Sequence, residues 1–264
     1  MNQFVRSLTM LLLFSITFHG FAQETCVSPD RKKLVALPIN LYGRTEWGVP
    51  TGIVAETLDE VLNRMGCEHH FINMRSRDAI RFLKDGKLGV VAALYRTTEA
   101  LDVGLITDPI IIEYNIVIIR KGEKVPFNKI SDLNGKVIGI RASNPYRLPE
   151  KCRKADKITL QRFESKGDIL RSLILGQVDA AIISSLSDIY DFRAEGIMDQ
   201  IDILERAVGI APISTVLSKQ MFSQEDIASF NHHLAALQQD SAWGHILDQN
   251  GFTDLLHPWP LLEE

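Results

Sequence analysis

Four arginines are the residues in this chain most able to bind a charged group. Arg44, Arg75, Arg96 and Arg141 each lie at or beyond the end of an apolar run that is typical of a β-strand. Guanidinium groups donate paired hydrogen bonds to carboxylates and phosphates, so arginines gathered at one sheet edge would form an anion-binding cleft. The alternative is that each is a separate, solvated surface side chain.

Polar and aromatic side chains at the same strand ends are further candidates for this cleft. Asn144 precedes Pro145, a favourable start for a helix that would leave backbone amides free to bind an anion. The two aromatic residues before the first helix could stack on a solute or pack on their own part of the protein. The full set of added candidates is Tyr42, Trp47, Tyr95, Thr97, Ser143, Asn144 and Ser184.

Metal and nucleophile chemistry have little support in the sequence. The pairs His69-His70 and His232-His233 are adjacent residues, whose side chains diverge on a strand or a helix and chelate poorly. The chain contains no Gly-x-Ser-x-Gly, phosphate-loop, His-Glu-x-x-His or Cys-x-x-Cys pattern. We therefore expect no cofactor and no metal.

Alternating strands and helices must position the candidate residues. The hydrophobic periodicity predicts strands at 33–38, 71–73 and 88–94 with helices at 53–65 and 79–85, and then one long strand at 110–120. The alternation restarts with strands at 136–141, 158–163 and 178–184 and helices from 144 and at 168–175. A strand at 213–217, two helices and a surface or partly disordered tail from 252 complete the chain. Such alternation indicates mainly parallel sheets covered by helices.

An internal repeat suggests that there are two similar units. Residues 79–94 align without gaps on residues 169–184, and Gly86 matches Gly176. Chance similarity between two β-α units is the alternative. The repeat favours two lobes, with the strands at 88–94 and 178–184 in separate sheets.

Composition and the amino terminus indicate an exported globular protein. The 264 residues are 45% hydrophobic and 23% charged, with a net charge of −4 and no basic run, so nucleic acid is not an expected partner. Residues 1–22 have the pattern of a secretory signal peptide, with an apolar core at Leu8–Phe18 that is shorter than the roughly 20 residues of a spanning helix. We expect a soluble periplasmic protein.

An exported protein can form disulfides, and the chain has three cysteines, all of them after residue 22. Cys26 precedes the first strand and Cys67 follows the first helix, so both lie at one end of a β-α unit and we expect them to pair. Three buried free thiols are the alternative, with the state of Cys152 open. A lipid anchor at Cys26 has less support, because the preceding Gln-Glu-Thr lacks the usual small residues.

A series of short motifs, in this order, resembles one protein family. They are Pro50-Thr51-Gly52, Gly86-Lys87, Arg96-Thr97-Thr98-Glu99, Thr107-Asp108-Pro109, Ile130-Ser131-Asp132-Leu133-Asn134-Gly135-Lys136 and Gly176-Gln177-Val178-Asp179-Ala180-Ala181. Over residues 33 to about 250 the chain resembles a type II periplasmic solute-binding protein of the polar amino-acid-binding class, family 3.

The resemblance implies a fold, a function and partners. The fold is α/β and two-lobed, each lobe a mainly parallel sheet flanked by helices, with two crossing strands between them. Lobe 1 would comprise 27–113 and 211–264, and lobe 2 would comprise 114–210. A monomer would capture a small polar solute between the lobes, close by a hinge motion and serve an ABC permease or a membrane sensor.

Two departures from the family bear on the solute. Amino-acid binders of this class usually carry an arginine where this chain has Ala100, and an acid where it has Ser184. These residues hold the carboxylate and ammonium groups of an α-amino acid. Their absence, beside four arginines, favours a small anionic solute.

Two other functions remain open. Some proteins that resemble this family are dehydratases that act in the same cleft, and Glu99, Asp108, Glu113 and Asp188 are the acid–base candidates for such an enzyme. A scaffold that binds no solute and serves as an interaction partner is the third hypothesis. A blocked or apolar cleft would favour it.

Overall fold

The computed structural model describes residues 33–37, 42–95, 102–142 and 157–262 of the chain. Its strands are β1 (Lys33–Leu37), β2 (Arg44–Glu46), β3 (Val49–Thr51), β4 (His69–Asn73), β5 (Val90–Tyr95), β6 (Leu105–Ile106), β7 (Ile111–Arg120), β8 (Val137–Arg141), β9 (Thr159–Phe163), β10 (Ala180–Ser184) and β11 (Ile201–Leu217). Its α-helices are α1 (Ile53–Arg64), α2 (Ser76–Lys84), α3 (Lys166–Ile174), α4 (Ser187–Ala194), α5 (Gln224–Leu237) and α6 (Ser241–Gln249). The predicted α/β alternation is confirmed in these ranges.

One sheet runs through the described part of the molecule. Its strand order is β4-β1-β5-β11-β7-β10-β8-β9, with β6 paired to β11 at the side. β4, β1 and β5 are mutually parallel, as are β10, β8 and β9. Between these two parallel groups, β11 and β7 run antiparallel to their neighbours. The long strands β7 and β11 therefore join the two groups.

The expectation that the 88–94 and 178–184 strands lie in separate sheets is wrong. β11 has 17 residues, and it pairs with β5 through Ile213–Leu217 and with β7 through Ile201–Ile213. β7 in turn pairs with β10 through Asn115–Ile118. Hydrogen bonding is therefore continuous across both groups. The sequence did not predict residues 201–212 of β11 as a strand. Charged residues and two register shifts interrupt the apolar pattern there.

The internal repeat is a structural repeat. α2 spans 76–84 and α3 spans 166–174, so the two nine-residue helices coincide when one copy is placed on the other. Gly86 and Gly176 end them at φ values of +66° and +72°, a conformation that glycine adopts without steric strain. β5 and β10 then occupy equivalent places, each between a parallel strand and a crossing strand.

The carboxyl-terminal segment lies mostly on the surface, as one of the two expected alternatives has it, and it is anchored there by buried side chains and backbone hydrogen bonds. Phe252 and Leu255 are buried at 0% and 4% exposure. Farther on, the Ala207 amide donates to the Pro260 carbonyl at 2.8 Å and the Leu262 amide donates to the Ala207 carbonyl at 3.0 Å. The sequence did not predict these hydrogen bonds. Two prolines exclude a helix here, but the carbonyl of a proline can still accept a hydrogen bond from another strand.

Among the helices that the structure describes, none is both long enough and apolar enough to cross a bilayer.

Candidate functional site

A buried carboxylate collects hydroxyl groups from distant parts of the chain. The side chain of Glu113, on β7, is fully buried. Its Oε1 accepts hydrogen bonds from the hydroxyls of Tyr42 and Ser184, and its Oε2 accepts one from the Tyr95 hydroxyl at 2.8 Å. An ionised carboxylate is stable in such a place only when donors replace the lost water. These hydroxyls supply that replacement.

The ends of equivalent strands position two of these donors. Tyr95 is the last residue of β5 and Ser184 is the last residue of β10, so each parallel group brings one hydroxyl to the crossing strand. Tyr42 is held differently. Its backbone carbonyl accepts from the amides of Val54 and Ala55, in the first turn of α1, at 2.7 and 3.3 Å. The first turn of a helix has free amides, which fix the loop that carries Tyr42.

The start of α4 completes the arrangement. The Ser187 amide donates to Glu113 Oε1 at 3.3 Å and to Ser184 Oγ at 3.0 Å, and the Leu186 amide donates to Ser184 Oγ at 3.1 Å. The Ser184 hydroxyl therefore accepts from the helix start and donates to the carboxylate. We call Tyr42, Tyr95, Glu113, Ser184 and Ser187 the Glu113 cluster.

Electrostatics keeps the Tyr42 phenol protonated. Burial, and then the charge of the Glu113 carboxylate, raise the pKa of Tyr42 well above its usual value of 10.0. A phenol with a raised pKa stays a hydrogen-bond donor at physiological pH. The cluster is therefore built of neutral donors around one carboxylate.

A second carboxylate adjoins the cluster. Asp188 has a side chain only 5% exposed, and its two oxygens accept from the Arg141 guanidinium and from the Ser184 amide, the latter at 2.8 Å. Burial raises the pKa of Asp188, while Arg141 and the Ser184 amide act in the opposite direction. Ser184 thus touches one acid through its hydroxyl and another through its backbone. The guanidinium of Arg141 is engaged by an internal carboxylate.

The remaining described candidates lie elsewhere. Arg44 pairs with Glu46 at 2.7 Å on β2, with 44% of its side chain exposed. Trp47 is fully exposed in the turn between β2 and β3, and Arg75 is an exposed residue at the start of α2. Within the described ranges, none of these three forms a hydrogen bond or ion pair with the Glu113 cluster. Arg96, Thr97, Ser143 and Asn144 lie outside the described residues.

Sequence reasoning assigned Glu113 and Asp188 only to the enzyme hypothesis. Both had a recognisable signal. Glu113 is the single acid in the apolar run 110–120, and an acid in a buried strand requires partners. Asp188 lies in the first turn of the helix that follows a buried strand. In the described ranges, no group of three or more His, Cys, Asp or Glu side chains could hold a metal ion.

Comparisons with known proteins agree with this architecture. Residues 26–252 match the profile of the bacterial extracellular solute-binding proteins, family 3. A search of curated proteins found no match. Among solved structures, a mutant of ArgBP from T. maritima has a TM-score of 0.57 at 18% identity, and the match covers 83% of this chain and 94% of that chain.

Two further solved structures share the fold. The periplasmic domain of B. pertussis BvgS has a TM-score of 0.69 at 15% identity, over 85% of this chain and 43% of that chain. A histidine kinase sensor domain described as similar to periplasmic binding proteins has a TM-score of 0.62 at 19% identity, over 86% of this chain and 98% of that chain.

These neighbours are binding proteins and sensor domains, not enzymes. The structural similarity establishes a two-lobed fold. The family match covers most of the sequence and places the protein in an extracytoplasmic class. The chain belongs to the bacterial extracellular solute-binding proteins of family 3.

Proposed function

We propose that this protein captures a small polar solute in a cleft beside the Glu113 cluster. The main evidence is that the hydroxyls of Tyr95 and Ser184, one from each parallel strand group, both donate to Glu113 on the crossing strand β7. Ligands of open α/β sheets bind beyond the carboxyl ends of strands, which is where Tyr95 and Ser184 lie. This position supports the proposal, because a solute bound beside the cluster would contact both groups.

The proposed lobes are 27–113 with 211–264, and 114–210. β7 and β11 pair over residues 111–120 and 201–213 and are the proposed hinge. Closure about this ribbon would bring the end of β5 towards the end of β10. The same closure would give a permease or a sensor a surface that depends on solute.

Export and disulfide formation belong to the same proposal. We propose that residues 1–22 direct export and that Cys26 pairs with Cys67. In support, Cys67 is buried at 3% exposure with a disulfide-bonded sulfur, and Cys26 and Cys152 lie outside the described residues. Mass mapping of the exported protein without reduction should recover the Cys26–Cys67 bridge. A bridge from Cys67 to Cys152, or a free thiol at Cys67, would overturn it.

The charge around Ser184 bears on the solute. An anionic solute was favoured because no acid stood at that position, yet Glu113 and Asp188 both contact Ser184. Arg141 and Arg44 are also engaged, by Asp188 and Glu46. An anionic solute would therefore have to bind away from the cluster. At the cluster we propose a solute group that donates hydrogen bonds, such as an amine or a hydroxyl.

Delivery to an ABC permease and reporting to a membrane sensor are both consistent with the neighbours. One structural neighbour is an ancestral arginine-binding protein bound to arginine, and another is a histidine kinase sensor domain. The fold serves both roles, so the partner has to be identified by experiment.

A thermal-shift screen followed by calorimetry tests solute capture. Residues 23–264 would be screened against amines, amino acids, sugars, organic acids and phosphorylated compounds. A solute at 100 times its Kd stabilises the folded state by about 2.7 kcal/mol. Tyr95→Phe should weaken binding, and Tyr190→Phe, which changes a tyrosine that stacks on Phe252 outside the cluster, should not. A panel without any stabilising compound would reject solute capture and support the scaffold hypothesis.

A further inference from the structure

We infer that Glu113 is an internal ligand of the cleft, whose carboxylate fills the position of a free carboxylate and excludes such groups from it. The inference rests on the proposed function, because it concerns the specificity of that cleft. Glu113 would then determine specificity, because its carboxylate takes the hydrogen-bond donors that a solute carboxylate would need.

The Glu113 carboxylate is surrounded by internal donors. Oε1 accepts from the hydroxyls of Tyr42 and Ser184 and from the Ser187 amide at 3.3 Å, and Oε2 accepts from the Tyr95 hydroxyl at 2.8 Å. A carboxylate oxygen offers about two lone-pair sites, so the three donors to Oε1 are enough to fill it. Glu113 is fully buried, so water does not compete for the same donors.

The donors form a set that would suit a separate molecule. Tyr42 and Tyr95 come from the first half of the chain, whereas Ser184 and Ser187 come from the second. None is adjacent to Glu113 in sequence, and all are neutral hydroxyls or an amide. Removing the Glu113 side chain beyond its Cβ would leave a pocket with the shape and donors of an acetate site.

Exclusion follows from occupancy and from charge. A solute carboxylate at this position would find its donors taken. It would also stand beside a buried negative charge, and two carboxylates in one site repel each other strongly unless one is protonated. The wild-type cleft therefore rejects carboxylates here and accepts neutral or cationic groups.

Chemical complementation tests the inference on the otherwise complete mature protein. Glu113→Ala removes an acetate-sized fragment, so acetate is the probe. At constant ionic strength, acetate should raise the melting temperature of Glu113→Ala in a saturable manner and leave the wild type unchanged. Acetamide has the same shape without the charge and should bind at least tenfold more weakly.

Three variants serve as controls. Glu123→Ala removes a half-buried glutamate outside the cluster that pairs with Arg120, and acetate should not affect it. Glu113→Gln keeps the position filled and should not respond to acetate. The double variant Glu113→Ala/Tyr95→Phe lacks one donor and should bind acetate about tenfold more weakly.

The outcomes are decisive even when Glu113→Ala folds poorly. In that case acetate, and not chloride or acetamide, should restore the folded protein. Failure of acetate to stabilise or refold Glu113→Ala would overturn the inference. An equal effect on Glu113→Gln would overturn it as well, because acetate would then bind elsewhere.

The two proposals can fail separately. If the wild type binds no solute while Glu113→Ala binds acetate, Glu113 is an internal ligand and solute capture is rejected. If the wild type binds a solute while Glu113→Ala ignores acetate, solute capture stands and the internal-ligand role is rejected.

Discussion

The Glu113 cluster and the β2–β3 hairpin both contain residues predicted to bind solute, and the structure treats them in opposite ways. In the cluster, Tyr95 and Ser184 leave the ends of central strands and share one buried acid. In the hairpin, Arg44 pairs with a neighbour two residues away and Trp47 is fully exposed. A side chain at a strand end is placed by the sheet register, whereas one in a loop is placed by whatever holds the loop.

Tyr42 and Arg44 show how local this difference is. Tyr42 is 5% exposed because α1 binds its carbonyl and Glu113 accepts its hydroxyl. Two residues later, Arg44 pairs across the hairpin with Thr51 and its side chain faces solvent. The backbone contacts of Tyr42 to α1 are thus what separates a buried site residue from an exposed one.

The largest effect is expected from Glu113→Leu, which breaks the cluster at its centre. It would leave the hydroxyls of Tyr42, Tyr95 and Ser184 without their acceptor in a buried site. Each unsatisfied group destabilises by roughly 1 to 3 kcal/mol, so we expect a loss of about 4 kcal/mol in the free energy of unfolding. Urea unfolding measures it. Glu123→Ala, which removes a half-buried glutamate paired with Arg120, should lose less than about 1 kcal/mol, and equal losses would contradict the buried cluster.

The two ion pairs give the next comparison. Asp188→Ala removes the partner of Arg141 and the acceptor of the buried Ser184 amide, so we expect a loss of about 2 kcal/mol. Glu46→Ala breaks an exposed pair and should change stability by less than about 0.5 kcal/mol. Urea denaturation of both variants decides. If Glu46→Ala lost as much stability as Asp188→Ala, the difference in exposure between the two ion pairs would not determine their contribution to stability.

The same aspartate predicts a pH dependence. Burial, partly opposed by Arg141, raises the pKa of Asp188 above 3.8, so the folded state binds more protons than the unfolded state between the two pKa values. Stability from this group therefore falls as pH rises through that interval. We measure the free energy of unfolding of the wild type and of Asp188→Asn in urea at a series of pH values. The wild-type value minus the variant value should decrease from about pH 3.8 upward and then level off. An increasing difference would mean that the ion pair dominates the burial.

Much of the fold was predictable because local rules agree with the global arrangement. The helix at α2, the glycine stop and β5 recur at α3, Gly176 and β10, and each signal is local. The first part of β11 was not predictable in this way. Its pairing with β7 holds Asp202 and Gly209 opposite Ile119 and Asn115, and partners this far apart in sequence leave no local trace.

The site was predictable only in part. Tyr95 and Ser184 could be found because each ends an apolar run. Glu113 could be flagged as an acid in such a run, but its acceptor role requires donors that are 18 and 71 residues away. Sequence alone therefore indicates which strand ends matter and leaves open which charge they surround.

A smaller effect is expected from Tyr95→Phe, which removes one donor and keeps the ring. The hydrogen bond to Glu113 Oε2 is lost, and bonds to charged groups contribute about 1.5 to 3 kcal/mol, so we expect a loss near the lower value. Tyr190→Phe is the matched control, because its ring stacks on Phe252 at 5.5 Å and phenylalanine preserves that contact. Thermal and urea unfolding measure both. No loss at Tyr95 would mean that water replaces its hydroxyl.

The smallest effect is expected from Trp47→Asn, and its sign is opposite. Trp47 and Gly48 form the two-residue turn between β2 and β3, with φ values of +54° and +84°. Positive φ at both positions is the pattern of a type I′ turn, which favours Asn-Gly and disfavours a bulky first residue. Because Trp47 is fully exposed, its removal loses no buried contact. We expect Trp47→Asn to raise the free energy of unfolding by about 0.5 kcal/mol, whereas Gly48→Ala should lower it by about 1 kcal/mol. Thermal unfolding of the two variants measures both signs, and a loss above about 1 kcal/mol in Trp47→Asn would show that the tryptophan packs against the protein in solution.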